Sequence, residues 1–177
     1  VEPNHIEDLR AEYDPKLESG ELKAGDETDR VVHVGGRVVF VRNTGKLCFA
    51  TLQGGTEGKR IQAMLSLAEV GEESLAEWKS LVDLGDHVFV TGRVIVSRRG
   101  ELSIMVTDWK MASKALRPMP VLHKDLNEET RVRQRYLDLM VREEARELVK
   151  KRALITRTVR RVLEDHGYIE AVSYTHL

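Results

Sequence analysis

Residues 31–65, VVHVGGRVVFVRNTGKLCFATLQGGTEGKRIQAML, decide the fold. They hold three runs of β-branched and apolar residues with a period near two, VVHVGGRVVFVR, KLCFATL and KRIQAML, divided by the glycine-containing turns NTGK and GGTEGK. Downstream, SLAEVGEESLAEWKSLVDLGD (66–86) places Leu75, Trp78, Leu81 and Val82 at helical spacing and closes on Gly85. Two further strand-like runs follow, DHVFVTGRVIV and ELSIMVTDW, with SRRGE between them.

Three strands, a helix and two strands in this order predict a five-stranded OB-fold, a small Greek-key β-barrel, over residues 31–110. The echoes GRVVFV (36–41) and GRVIVS (92–97) each put a glycine where a strand must bend sharply around a small barrel.

Working outward, residues 1–30 hold ten acidic against four basic side chains and read as an acidic N-terminal segment. Residues 111–126, within MASKALRPMPVLHKDLN, carry two prolines and few strand signals, which predicts a linker. A second domain is expected over 127–177. Residues 128–142 and 143–166 read as helices, with Ile155, Val159, Val162 and Leu163 forming an apolar stripe and Gly167 at the C-cap position. The tail GYIEAVSYTHL suggests one short strand, which alone cannot complete a core. The fold class is therefore α+β: a barrel, a linker and the first helices of a truncated second domain. Apolar surface from Ile155 to Ile169 is expected to fray or associate.

The composition excludes several classes. In 177 residues, 28 Lys and Arg against 29 Asp and Glu leave a net charge of -1, so there is no histone-like excess of positive charge. No apolar stretch approaches the roughly 18 residues of a membrane span, and VEPNHIEDLR lacks a basic start followed by an apolar run, so a cytoplasmic chain is expected. The single cysteine, Cys48, rules out an internal disulfide and reads as a buried small hydrophobe. The six histidines show no metal-binding spacing, and no P-loop or hydrolase elbow occurs.

OB-folds bind single-stranded nucleic acid or oligosaccharide across their second and third strands, stacking bases on aromatic side chains. Phe49 on the second strand, Gln62 on the third, Arg42 ending the first and Glu101 opening the fifth can converge on one barrel face. Stacking on Phe49 would contribute roughly 1–3 kcal/mol per base, while Gln62 and Glu101 have the chemistry to read base edges. Periodicity alone leans slightly towards the alternative, in which Phe49 turns into the core and Gln62 and Glu101 are solvated. Arg98-Arg99 and Lys150-Lys151-Arg152 are short basic clusters that either meet phosphates or form solvated faces.

The strings SKALRPMP (113–120) and RVRQRYLDLMV (131–141) resemble the junction between the anticodon-binding barrel and the catalytic domain of bacterial-type class II lysyl-tRNA synthetases. GKLCFATLQ, RIQ and GELSI are similar to the anticodon barrel that the lysyl, aspartyl and asparaginyl enzymes share. The resemblance covers about residues 31–170. It implies that Phe49 stacks on the central anticodon base, a uridine for lysine, that Gln62 and Glu101 read anticodon bases, and that Arg42 is a basic neighbour. It further implies a lysine–tRNA ligase parent that uses ATP and Mg2+, takes the tRNA-Lys anticodon loop as partner and forms a homodimer through the helix 143–166 and GYIE.

The match fails past Glu170, where AVSYTHL replaces the family's usual continuation and its proline. The later motifs that hold ATP, magnesium and lysine are absent. This chain alone is therefore expected to bind no cofactor, to be inactive as a ligase and to have no membrane association. Two other readings remain at this point: the synthetase-like module of a membrane enzyme that transfers lysine to phosphatidylglycerol, and a generic OB module for single strands.

Overall fold

The computed structural model describes residues 2–55, 57–120 and 126–171, in two compact units, residues 1–125 and 126–177.

The first unit is a closed five-stranded barrel. Its strands are β1 (Glu27–Asn43), β2 (Leu47–Gly54), β3 (Lys59–Ser66), β4 (His87–Val96) and β5 (Leu102–Ser113), ordered β1-β2-β3-β5-β4 around the barrel. All pairings are antiparallel except the β3–β5 seam, where Gln62 lies opposite Ser103 and Leu65 opposite Val106. Period-two patterning fills the interior: Cys48, Ala50 and Leu52 from β2, Ile61, Ala63 and Leu65 from β3, and Val88, Val90 and Val94 from β4 all point inward. Each large aliphatic side chain removed from water in this way contributes roughly 1.5–3 kcal/mol. Burial also pushes the Cys48 thiol pKa up, in keeping with an inert core residue.

The single long β1 serves two neighbours. Its first part pairs with β4 and its second with β2, and Arg37 pairs with both. The chain turns that corner at Gly36, where a Cβ would sit 3.0 Å from the Cβ of Leu52. Gly92 marks the matching bend in β4, at a register shift against β5, and a Cβ there would lie 2.1 Å from the carbonyl oxygen of Met105. Both glycines stand where their echoing motifs predict a bend.

Helices plug the barrel. The predicted helix between β3 and β4 is split into a short α2 (Leu67–Val70) and α3 (Glu72–Leu81) by Gly71, whose φ of +81° suits glycine. Trp78 of α3 is fully buried and meets Trp109 edge to face with ring centroids 5.0 Å apart. The acidic segment contributes a further helix, α1 (Ile6–Glu18), whose Ile6, Leu9 and Tyr13 join the core.

Strand β5 runs on to Ser113, into the stretch read as linker, because it stays paired with β4 as far as His87 opposite Ser113. The next residues are then clasped to the barrel. The buried Asp86 carboxylate accepts from the Lys114 ammonium at 2.7 Å, from the Asp83 amide at 2.8 Å and from the Ala115 amide at 2.7 Å. Burial pushes the Asp86 pKa up, but the Asp83 amide, the Lys114 ammonium and the Ala115 amide outweigh it and hold the carboxyl below its ordinary value.

The second unit contains α4 (Glu128–Arg133), α5 (Arg135–Val141) and α6 (Glu143–Asp165). Residues 128–142 therefore do not form the one helix expected of them. Gln134 leaves helical geometry at φ -117° and ψ 56°. Across this break Arg131 Nε lies 3.7 Å from the buried Asp138 carboxylate, and Arg142 binds the same carboxylate at 2.9 Å. Helix α6 ends as predicted on Gly167, with Gly167 N–H donating to Glu164 O and Tyr168 N–H to Leu163 O, the paired bonds of a Schellman cap. Residues 168–171 have no strand, and 172–177, with the rest of the predicted short strand, lie outside the described residues.

Candidate nucleic-acid interface

One outer face of the barrel carries an open cleft of about 840 Å³. Arg42, Phe49, Gln62 and Glu101, from four different positions along the sequence, all line it. Phe49 owes its place to the parity of β2: Cys48 and Ala50 face inward, so Phe49 and Thr51 face outward, and the alternative in which Phe49 fills the core does not occur.

Arg42 and its neighbour Phe40 owe theirs to a bulge. Val32, Val34 and Val38 point inward, so simple alternation would send Phe40 and Arg42 inward too. The register shift between Val38 and Phe40 buries both Val38 and Val39 and turns Phe40 and Arg42 out into the cleft. Arg42 then pairs across the ladder with Phe49, and its guanidinium carbon lies 4.6 Å from the ring centroid, a cation–π contact.

The polar end is a hydrogen-bonded chain. Gln62 Nε2 donates to Glu101 Oε2 at 3.2 Å, and the hydroxyl of buried Ser103 donates to Gln62 Oε1 at 3.1 Å. Between these ends Met64, opposite Phe49, and Met105, opposite Met64, give the cleft an apolar floor.

The β4–β5 turn forms one rim. Ser97 Oγ accepts from the Glu101 amide at 3.1 Å and Gly100 N–H donates to Ser97 O at 2.8 Å, which fixes a tight loop carrying Arg98 and Arg99. Both arginines are exposed and line the cleft, and neither makes an ion pair among the described residues. The other basic cluster, Lys150-Lys151-Arg152, lies on α6 in the second unit, where Lys150 pairs with Glu147 at 3.0 Å.

Sequence reading missed Phe40, Met64 and Ser103. A bulge leaves no mark in a run such as VVFV. Ser103 carried one weak signal, a lone hydroxyl inside the apolar run LSIM, but its opposition to Gln62 depends on a parallel seam that periodicity does not specify.

Comparison with known proteins gives this face a context. The family described as "OB-fold nucleic acid binding domain" matches residues 32–112, and "tRNA synthetases class II (D, K and N)" matches residues 127–173. The chain is 59% identical over 165 residues to a lysine–tRNA ligase of Kineococcus radiotolerans, covering 93% of this chain and 32% of that relative. By sequence, it is similar to part of the lysine–tRNA ligase family. Other members are similar as well: the ligase of Mycolicibacterium gilvum is 59% identical over 85% of this chain and 30% of its own length, and that of Chromobacterium violaceum 44% over 78% and 27%. The chain spans about a third of the length of the family members it matches.

Among the described residues, no group of three or more His, Cys, Asp or Glu side chains is placed to hold a metal ion, and no helix is long and apolar enough to cross a membrane.

Proposed function

We propose that this chain is the anticodon-binding part of a lysine–tRNA ligase and that the cleft takes the anticodon loop of tRNA-Lys. The observation that carries the reading is that Arg42, Phe49, Gln62 and Glu101 line one cleft on a barrel of the nucleic-acid-binding OB family. Phe49 stacks on the central uridine with Arg42 against the ring. Gln62 and Glu101 hydrogen-bond to base edges, and Arg98 and Arg99 approach the phosphates from the rim. Residues 31–110 are then the anticodon-binding domain, 111–126 the linker and 127–177 the entry to the catalytic domain, after an acidic segment at 1–30.

The parent protein joins lysine to ATP as an adenylate and passes the lysyl group to the 3′ end of the tRNA, in the cytoplasm and as a homodimer. The exposed apolar stripe of α6 is consistent with a dimer surface. When bound, ATP would supply the activating adenylyl group and Mg2+ would neutralise its phosphates; among the described residues no group of three or more His, Cys, Asp or Glu side chains is placed to hold that ion. The 177 residues alone are expected to be inactive in lysine-dependent pyrophosphate exchange, and turnover in that assay would refute this part of the proposal.

The binding test compares the chain's affinity for an RNA hairpin with a UUU loop and for the same hairpin with a UCU loop at fixed salt. Preference for U is the expected result. Phe49→Ala should weaken UUU binding by roughly 1–3 kcal/mol and leave the salt dependence unchanged, since no phosphate contact is lost. Equal binding of both hairpins by the wild-type chain would remove base reading from the cleft.

A further inference from the structure

We infer that Phe40 is a second stacking platform, so that the cleft holds two unpaired bases of one RNA strand, one on Phe49 and its neighbour in sequence on Phe40. The inference rests on the anticodon reading of the cleft and adds to it a residue to which that reading gives no role.

Phe40 is the cleft's uncommitted aromatic surface. It lines the cleft and is 53% exposed. Among the described residues no other ring and no cation lies against it, whereas Phe49 has the Arg42 guanidinium against its ring. A single exposed apolar side chain is ordinary on a protein surface. An exposed ring beside a second ring, in a cleft that Arg42, Arg98 and Arg99 also line, combines the stacking surface and positive charge that single-stranded nucleic acid takes.

The placement suits two bases. Phe40 stands opposite Thr51 and Arg42 opposite Phe49, so Phe40 and Phe49 are diagonal neighbours across the β1–β2 ladder. The Cα atoms of such neighbours are roughly 7–8 Å apart, which gives each ring its own base and keeps both bases on one short stretch of RNA. Both side chains leave the same outer face: the bulge between Val38 and Phe40 turns one outward, and the parity of β2 turns out the other.

The two seats differ in chemistry. Gln62 is on β3, which adjoins the strand of Phe49, and its partner Glu101 lies beyond it, so both are on the side of Phe49 away from Phe40. Their base-edge hydrogen bonds belong to the base on Phe49. The base on Phe40 is held by its π face, which every base has. Phe40 thus adds affinity without choosing a base.

The test measures the affinity of the 177-residue chain, at fixed salt, for the UUU hairpin, the UCU hairpin and UUU hairpins made abasic at the first or the third anticodon position. The variants are Phe40→Ala, Phe40→Leu and Phe40→Trp, with the thermal midpoint read alongside to show that each is folded at the binding temperature. Phe40→Ala should weaken binding of the UUU and UCU hairpins by the same factor, about tenfold for one stacked base, at unchanged salt slope. Phe40→Trp keeps a π face and should bind like the wild type, whereas Phe40→Leu keeps apolar bulk without a ring and should lose most of that factor. Against one of the two abasic hairpins Phe40→Ala should cost nothing further, because the base that Phe40 would stack is already gone. Wild-type affinity in Phe40→Ala or in Phe40→Leu, or an undiminished loss against both abasic hairpins, would overturn the inference and leave the reading by Phe49 and Gln62 intact. Equal wild-type binding of UUU and UCU, with the Phe40→Ala loss and its abasic coupling retained, would remove base discrimination from the cleft and uphold Phe40 as a platform. A chain that binds none of the hairpins would bring down both.

Discussion

The barrel and α6 treat their apolar residues in opposite ways. In the barrel, Leu52, Ile61, Leu65 and Val90 are fully buried, whereas on α6 Ile155 is 63% and Val159 53% exposed. The patterns are equally regular, with period two in one and helical spacing in the other. A strand ring that closes on itself gives every inward side chain a partner from the same chain. A lone helix cannot cover its own stripe, and among the described residues nothing else does so. Regular patterning therefore establishes that a face is meant to be covered but not by what. The candidate interface lies wholly on the barrel, so binding and stability of the barrel should be separable from α6.

The largest effect that would break this contrast comes from the barrel's tightest point. A methyl group at Gly92 would fall 2.1 Å from a backbone oxygen of β5, which no rotamer can relieve. Gly92→Ala should lower the stability of the barrel by about 3 kcal/mol, read as a drop in its denaturation midpoint. An unchanged midpoint would mean that β4 and β5 can part at this bend without loss.

A smaller effect is expected at the clasp between the barrel and the residues that leave it. Asp86→Ala strands the Asp83 and Ala115 amides and should cost about 2 kcal/mol. The pH dependence follows from the direction of the shift. Because the folded carboxyl titrates below its unfolded value, near 3.9, its contribution is full above that value and is lost as pH falls through the lower folded one. Acid titration of the thermal midpoint should show a step below pH 4 in the wild type that is diminished in Asp86→Ala. Steps of equal size in both proteins would exclude Asp86 as their source.

Reading depth followed the same divide. Strand number, order and the bends at Gly36 and Gly92 were legible because each depends on local periodicity or on a glycine that sequence displays. The site was half legible. Residue chemistry and a family resemblance pointed to Phe49, Gln62, Arg42 and Glu101, and the structure brings all four to one cleft. Phe40 and Ser103 were not legible, since the first is turned outward by a bulge and the second meets Gln62 only through a parallel seam. The break at Gln134 was hidden because an intact helical pattern runs straight through it, and Asp138 and Arg142 stand at ordinary i,i+4 spacing on its far side.

The smallest expected effect gives the sharpest form of the contrast. Ile155→Glu changes an exposed position on α6, so it should move the barrel's midpoint by no more than about 0.5 kcal/mol and leave hairpin affinity unchanged. Amides of α6 should also exchange hydrogen faster than those of β2 and β3, because a helix without packed tertiary contacts opens locally at low cost. Under the dimer proposal the same substitution has a further signature: a charge placed in a stripe that two chains cover together would shift sedimentation toward the monomer. Barrel destabilisation on the scale of Gly92→Ala would instead mean that α6 and the barrel share one core, and the opposition between the two regions would be lost.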